Sequence, residues 1–228
     1  MNLTEIREQL LEELTWRKNE LSFFESQLVH LSTEDDQEKY RKALVVMLYS
    51  HFEGFFKSAF LLYKDSINQE HLKCSQVNDF IVVCSLLAVF KALENPQNKS
   101  PLFKKTLPDD TEIHKFFRRV EFVGMLDDID NQTVNIPDEI VDTESNLKPI
   151  IIKKILYQLG LPYEKLNFGK INKLLGFRNA IAHGAMKDGV KEQDYKTLRT
   201  DIYMMMDDII LMIIDELQKE SFKKPVIN

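Results

Sequence analysis

The stretch from residue 35 to residue 68 constrains the fold of this chain most strongly, because it carries two separate apolar stripes at helical spacing. A helix that is apolar on two sides has to be buried between neighbours on both of them. One stripe contains Leu44, Leu48, Phe55, Ala59 and Leu62, and the other contains Val46, Tyr49, Phe56, Phe60 and Tyr63. The sequence therefore predicts a long central helix with other helices packed around it.

Helical spacing of apolar residues recurs along much of the remaining chain. It predicts an amphipathic first helix over residues 2–31 and later helices over 147–159, 168–183 and 190–221. The apolar run 80–93 fits either a buried helix or a strand, and its length favours a helix. Only seven glycines and seven prolines occur among 228 residues, which leaves little material for hairpin turns. We therefore predict an all-α fold.

Residues 94–146 do not follow this helical pattern. Their first part, 94–111, is rich in proline and polar residues and is the clearest loop in the sequence. Residues 120–146 are the hardest to assign, and the V-E-F-V-G-M-L run within them is compatible with a short strand. We predict one irregular insertion around 94–146 within a single helical domain that spans residues 1–228.

The composition and the missing motifs exclude several classes of protein. Hydrophobic residues make up 44% of the chain and charged residues 29%, as in ordinary globular proteins. The glycine-rich loops of nucleotide enzymes are missing and the histidines lack metal-ligand spacing, so neither a cofactor nor a metal ion is expected. The N-terminus does not resemble a signal peptide, and the apolar stretch 202–214 is too short for a membrane span. We expect a cytoplasmic protein without membrane contact.

The most distinctive candidate site is G-F-R-N-A-I-A-H-G, residues 176–184. Gly184 stands where a C-terminal helix cap is expected, which places His183 in the last helical turn. Five residues at about 100° each set the side chains of Arg178 and His183 roughly 140° apart around the helix. The two side chains can converge only if that turn is distorted or if two chains bring their copies together. The arginine could then hold a phosphate while the histidine transfers a proton.

Charge is unevenly distributed along the chain, whose net charge is −6. Residues 148–187 contain eight basic residues and one acidic residue, whereas residues 1–40 contain four basic and ten acidic residues. Lys170 and Lys173 belong to the basic segment. A solvated lysine face is a common reason for such a segment, but its coincidence with the Arg–His motif favours an anionic ligand.

The stretch R-N-A-I-A-H-G resembles the signature of the HEPN superfamily, in which an arginine and a polar residue precede a histidine. The matching residues here are Arg178, Asn179 and His183. Two other segments, L-Y-S-H-F-E-G-F-F-K (48–57) and D-T-E-S-N-L-K-P-I (142–150), are similar to small stand-alone bacterial HEPN proteins that are predicted nucleases. Taken together, the three segments extend the resemblance over most of the chain, in the order that this branch of the superfamily shows.

The resemblance implies a HEPN-like helical bundle with additional helices that acts as a dimeric, metal-independent endoribonuclease. Arg178, Asn179 and His183 would be catalytic residues at a cleft between two chains. Because RNA carries its own nucleophile, the 2′-hydroxyl, cleavage needs proton transfer and charge stabilisation rather than a metal. Such proteins commonly act as toxins or in anti-phage defence, so the implied partners are RNA, a second copy of the chain and an antitoxin protein.

Three further residues are assigned on weaker grounds. Glu53 would join the catalytic set if its carboxylate faces the cleft and touches Arg178 or His183. Lys57, one turn further along the helix, is an ordinary ion-pair partner for the same carboxylate, and both interpretations stay open. Lys170 and Lys173 are the candidate RNA-binding residues.

Two alternatives to the ribonuclease also stay open. A non-catalytic HEPN-type module would use the same motif to bind a nucleotide, RNA or a partner protein. In a helical scaffold, Arg178 and His183 would only cap and pair, so their substitution would change stability and nothing else.

Overall fold

The computed structural model describes residues 1–99, 109–144 and 146–225. This part of the chain folds into eight α-helices joined by loops and short 3-10 helices, with two isolated β-bridges and no sheet. In chain order the helices are α1 (Leu3–Glu25), α2 (Glu34–Asn68), α3 (Asp79–Ser85), α4 (Leu87–Glu94), α5 (Thr111–Ile129), α6 (Pro149–Gln158), α7 (Phe168–Ala182) and α8 (Glu192–Gln218). The all-α fold class predicted from the sequence is confirmed.

The long helix α2 lies at the centre of the bundle. It begins after Thr33, whose side chain accepts a hydrogen bond from the backbone N–H of Asp36 and so caps the first turn. Helices α1, α7 and α8 all pack against it. The large side chains that it buries completely include Leu44, Leu48, Phe52, Phe55, Phe56, Phe60 and Tyr63. Most members of both apolar stripes are therefore buried, as their spacing predicts, while Val46 and Leu62 are half-buried.

Helices α1 and α8 are joined by a polar cluster as well as by the apolar core. The Glu25 carboxylate accepts a hydrogen bond from Arg199 Nη1 at 2.6 Å and another from the Tyr195 hydroxyl. Helix α1 is shorter than predicted, since residues 26–30 form a 3-10 helix after Glu25. Together α1, α2 and α8 form a three-helix layer against which α7 is placed.

The predicted irregular insertion around 94–146 is more regular than expected, because α5 occupies much of it. The Asp110 side chain starts this helix by accepting hydrogen bonds from the backbone N–H groups of Glu112 and Ile113. The V-E-F-V-G-M-L run is helical, so the short strand considered for it does not form. A strand needs a neighbour to pair its backbone, and the described part of the chain offers it none. Residues 100–108 of the predicted loop lie outside the described residues.

The apolar run 80–93 forms helix, as its length favours, but in two pieces. Helix α3 ends at Ser85 and α4 begins at Leu87, with Leu86 between them at φ −91° and ψ 13°. Helix α3 buries Ile81 and Cys84, whereas α4 buries none of its side chains. The second half of this run thus leaves the core and leads towards α5.

The described part of the chain contains neither a helix that could span a membrane nor a group of side chains suited to a metal ion. None of its helices combines the length and the hydrophobicity that a membrane span requires. No three histidine, cysteine, aspartate or glutamate side chains are grouped so that they could hold a metal ion. The cysteines Cys74 and Cys84 are free and buried.

Candidate functional site

Helix α7 carries the Arg–His motif and ends as a regular helix. The backbone N–H of His183 donates to the Asn179 carbonyl oxygen at 3.0 Å. The backbone N–H of Gly184 donates to the Ile181 carbonyl oxygen at 3.1 Å. Gly184 has a φ of 69°, a left-handed conformation that favours glycine and ends the helix. The last turn is therefore not distorted, and the helical offset between Arg178 and His183 is retained.

The loop after α7 is fastened to the start of α2, which fixes the position of His183 from its C-terminal side. Lys42 Nζ donates to the Met186 carbonyl oxygen at 2.7 Å, and the backbone N–H of Val190 donates to Glu38 at 2.9 Å. A Cβ atom on Gly189 would lie 2.2 Å from Glu38 Cβ, so only glycine permits this close approach.

Arg178 is half-buried between α7 and α2. Its guanidinium carbon lies 5.0 Å from the centre of the Tyr49 ring, and its Nη1 donates to Asn179 Oδ1 at 3.0 Å. Among the described residues no carboxylate lies within ion-pair distance of it. The arginine is thus held in place by a ring and an amide while its positive charge stays unneutralised, which suits a site for an anion.

His183 lies at the C-terminal cap of α7 and is exposed. Its ring forms no hydrogen bond or ion pair with any described residue, Arg178 included. Because the helix is regular, one chain does not bring the two side chains together. Of the two arrangements that allow convergence, only the meeting of two copies is compatible with this geometry, and it remains a prediction.

Tyr49 is the residue that holds Arg178 from the side of α2. It is buried, and its hydroxyl accepts a hydrogen bond from the Leu147 backbone N–H at 2.8 Å and donates to Asn146 Oδ1 at 3.1 Å. Burial and, secondarily, the neighbouring Glu53 carboxylate raise the pKa of Tyr49 to about 12. The phenol is therefore neutral near physiological pH, and two hydrogen bonds hold its hydroxyl in place.

Glu53 lies one turn after Tyr49 on the same face of α2. Its Oε1 accepts a hydrogen bond from the Thr143 hydroxyl at 3.0 Å, and Thr143 is buried. The carboxylate forms no ion pair with Lys57, which is exposed, and none with Arg178. Glu53 therefore forms no hydrogen bond or ion pair with Arg178, His183 or Lys57, the partners considered from the sequence, and instead contacts Thr143 and lies beside Tyr49.

The three sequence segments that carry the family resemblance meet at this place. Helix α2 contributes Tyr49 and Glu53, the loop before α6 contributes Thr143 and Asn146, and α7 contributes Arg178. The sequence did not single out Tyr49, Thr143 or Asn146 individually. The available signal was the four-residue spacing of Tyr49 and Glu53, which puts both side chains on one helical face.

The basic segment 148–187 is partly neutralised by acidic residues elsewhere in the chain. Lys170 is half-buried, and its Nζ lies 3.3 Å from Asp201 Oδ1 on α8. Lys154 pairs with Glu144, and Lys165 contacts the carboxylates of Asp215 and Glu216. Lys173, in contrast, is exposed, and no described carboxylate lies within ion-pair distance of it. The two lysines predicted to bind RNA are therefore not equivalent.

Comparison with known proteins identifies the family. Residues 12–215 match the family model described as RiboL-PSP-HEPN. The chain belongs to the RiboL-PSP-HEPN family. No curated protein sequence and no solved structure gives a significant match. The HEPN resemblance of the three segments is thus confirmed, and the protein is a HEPN-type module, while the roles of its individual site residues remain predictions.

The contact between Tyr49 and Arg178 should be measurable as a coupling free energy. A double-mutant cycle with Tyr49→Leu and Arg178→Gln, followed by chemical denaturation, should give about 0.5–1 kcal/mol of favourable coupling. The same cycle with Tyr49→Phe should keep the coupling, because phenylalanine retains the ring face. A coupling near zero in the leucine cycle would show that the ring does not hold the arginine.

Proposed function

We propose that this HEPN protein is a metal-independent endoribonuclease whose active site is formed by Arg178, Asn179 and His183 of two chains. The observation that carries the proposal is the state of the motif: Arg178 is held in place without a counter-charge, and His183 is exposed without a hydrogen bond at the helix end. Buried or half-buried polar groups with a purely structural role are normally paired. HEPN domains, moreover, are often ribonucleases that bind RNA and dimerise.

In the proposed reaction the 2′-hydroxyl of RNA attacks the adjacent phosphorus. The bond from phosphorus to O2′ forms, the bond from phosphorus to O5′ breaks, and the products are a 2′,3′-cyclic phosphate and a 5′-hydroxyl. One His183 accepts the proton from the 2′-hydroxyl, and the second copy's His183 donates a proton to the leaving O5′. Arg178 binds the non-bridging oxygens and stabilises the charge that develops on them.

The surrounding residues support this reaction by orienting Arg178. One guanidinium N–H is used by Asn179, which leaves the other donors of the planar fork for a phosphate. The ring of Tyr49 supports one side of the guanidinium. Glu53 and Thr143 support this face of α2, so we assign Glu53 a positioning role rather than contact with the RNA.

The geometry of α7 supports the proposal that two copies form the active site. A regular last turn keeps Arg178 and His183 roughly 140° apart, and a two-fold axis near residues 176–184 would place the pairs of both chains around one phosphate. The same arrangement supplies two histidines, one for each proton transfer. We propose that this ribonuclease homodimer acts as a toxin or an anti-phage defence effector, with an antitoxin protein as a further partner.

The first test is a cleavage assay with purified protein in excess chelator. RNA should be cut and should carry 2′,3′-cyclic phosphate or 3′-phosphate ends, whereas matched DNA, which lacks the 2′-hydroxyl, should stay intact. His183→Ala should abolish cleavage without loss of thermal stability, since the side chain is exposed. Binding of RNA without cleavage would instead identify a non-catalytic HEPN module, and cleavage that requires magnesium would refute the mechanism.

The contribution of both chains can be tested by mixing two inactive variants. Arg178→Ala and His183→Ala should each be inactive as homodimers. A mixed dimer retains one arginine and one histidine on different chains, so co-expression of differently tagged variants and tandem purification should restore part of the cleavage, below the wild-type rate because only one of the two proton transfers then has its histidine. If each chain formed its active site alone, the mixed dimer would be as inactive as its parents.

The unequal environments of the two candidate lysines predict unequal effects on RNA binding. Lys173→Gln should reduce the slope of log K against log salt for RNA binding by about 0.7–0.9 for each phosphate that the protein no longer neutralises. Lys170→Gln should change the slope less, because Lys170 is already paired with Asp201. Equal slopes for Lys173→Gln and the wild type would remove Lys173 from the RNA-binding surface.

A further inference from the structure

Helix α5 exposes large apolar side chains on its outer face, although its inner face is also lined by half-buried apolar residues such as Phe122, Met125 and Ile129. The two residues that it buries are His114 and Arg118. Phe116, Val120 and Val123 are 65%, 53% and 61% exposed, and their spacing places them on one helical face. The outer face of a solvated helix is normally polar throughout, so three exposed apolar side chains in register are unusual there. We refer to Phe116, Val120 and Val123 as the α5 face.

The contacts of α5 explain why this face is uncovered. The helix packs mainly against α4, which itself buries no side chain. Arg118 joins α5 to the end of α4 and to the loop that follows it. Its Nε donates to the Leu93 carbonyl oxygen at 2.9 Å, and its Nη1 donates to the Asn98 carbonyl oxygen at 3.2 Å. The rings of Phe90 and Phe122 also meet, at 5.9 Å between centres. The α4–α5 hairpin is therefore an extension of the bundle, and the α5 face lies on its outer side.

The charges beside the α5 face indicate what covers it. Arg119 lies one turn before Val123 and Asp127 one turn after it, whereas Lys115 is already paired with Glu112. Within the described residues Arg119 and Asp127 take part in no ion pair. In two such helices packed antiparallel, Arg119 of each lies opposite Asp127 of the other, whereas a parallel pair would bring Arg119 opposite Arg119 and Asp127 opposite Asp127.

Gly124 is consistent with the same arrangement. It lies inside α5, where glycine disfavours a helix, and outside that helix's own backbone no atom of the described residues lies within 4 Å of where its Cβ would be. The fold of the single chain therefore does not require a glycine there. A second helix that crosses close to this point would gain from the missing side chain, because the two backbones could then approach one another.

We propose that α5 is a self-association surface on which a second copy of this chain docks, with the two α5 helices antiparallel about a two-fold axis at Val123 and Gly124. Arg119 of each copy then faces Asp127 of the other. A helix of this length is about 28 Å long, so one helical face buries less than the roughly 800 Å² per partner of a stable complex. Association through α5 alone should therefore be reversible and dependent on concentration.

This contact is separate from the proposed pairing of the Arg–His motifs, because α7 packs against α2, α6 and α8 rather than against α5. A chain with two different two-fold contacts forms assemblies larger than a dimer. The self-association surface would thus join ribonuclease dimers into larger particles. Association through α5 does not depend on whether the chain cleaves RNA.

The first experiment follows the mass of the full-length protein by sedimentation velocity over a hundredfold range of concentration. The wild type should shift to larger species as concentration rises, and Val123→Glu should lose that step because it places two carboxylates at the axis. Leu211→Glu is the matched control, since Leu211 is 61% exposed on α8. A concentration series that Val123→Glu leaves unchanged would overturn the proposal.

A charge exchange tests the antiparallel orientation. Arg119→Asp and Asp127→Arg should each weaken association, because each brings like charges together in a homodimer. The double variant, and an equimolar mixture of the two single variants, should restore it, because opposite charges then face each other again. If neither restores association, the helices do not pair antiparallel and the proposed occupant is wrong, as it would be for a face that binds a different protein.

Cross-linking provides a measurement that does not depend on the total mass of the assembly. Val123→Cys should form a disulfide-linked dimer on mild oxidation, because the two copies of residue 123 meet at the axis. The native cysteines are buried, and Leu211→Cys controls for random collision. Equal cross-linking of the two variants would contradict the contact at α5.

Discussion

The enclosure of α2 on both sides is the constraint on which the rest of this protein depends. Its phenylalanines fill the space between α1, α7 and α8, and removal of any one of these neighbours would leave large apolar side chains in water. Because interiors are densely packed, α7 can lie against α2 in few ways. The position of Arg178 on α7 is therefore a consequence of the core packing between α7 and α2.

The same helix that fills the core also provides the polar face of the site. Lys42, Tyr49 and Glu53 recur at intervals of seven and four residues, so they follow one line along α2 and meet the end of α7 and the loop before α6. A buried tyrosine with both hydrogen-bonding capacities satisfied is a rigid support. It holds an arginine without neutralising it, which a carboxylate in the same place could not do.

We propose that two surfaces of this fold are completed by a second copy of the chain, for different reasons. At the end of α7 the helical offset separates Arg178 from His183, so the proposed chemistry needs the motif of a second copy. On α5 the proposed partner covers the exposed apolar residues. In an antiparallel pair, Arg119 of one copy would face Asp127 of the other. Both features arise from helix geometry, which fixes the direction of each side chain.

The sequence by itself determined the helical class, the central position of α2, the end of α7 at Gly184 and the family. These follow from local periodicity, from the left-handed preference of glycine and from three short motifs. It did not determine that Glu53 meets Thr143 or that Lys170 meets Asp201, because residues far apart in the chain become neighbours only through packing. Nor did it identify α5, where an aspartate cap starts a helix in a stretch whose valines also suit a strand. Only the tertiary structure decided which face of that helix is exposed. Periodicity shows which residues share a helical face, but not which other helices pack against that face.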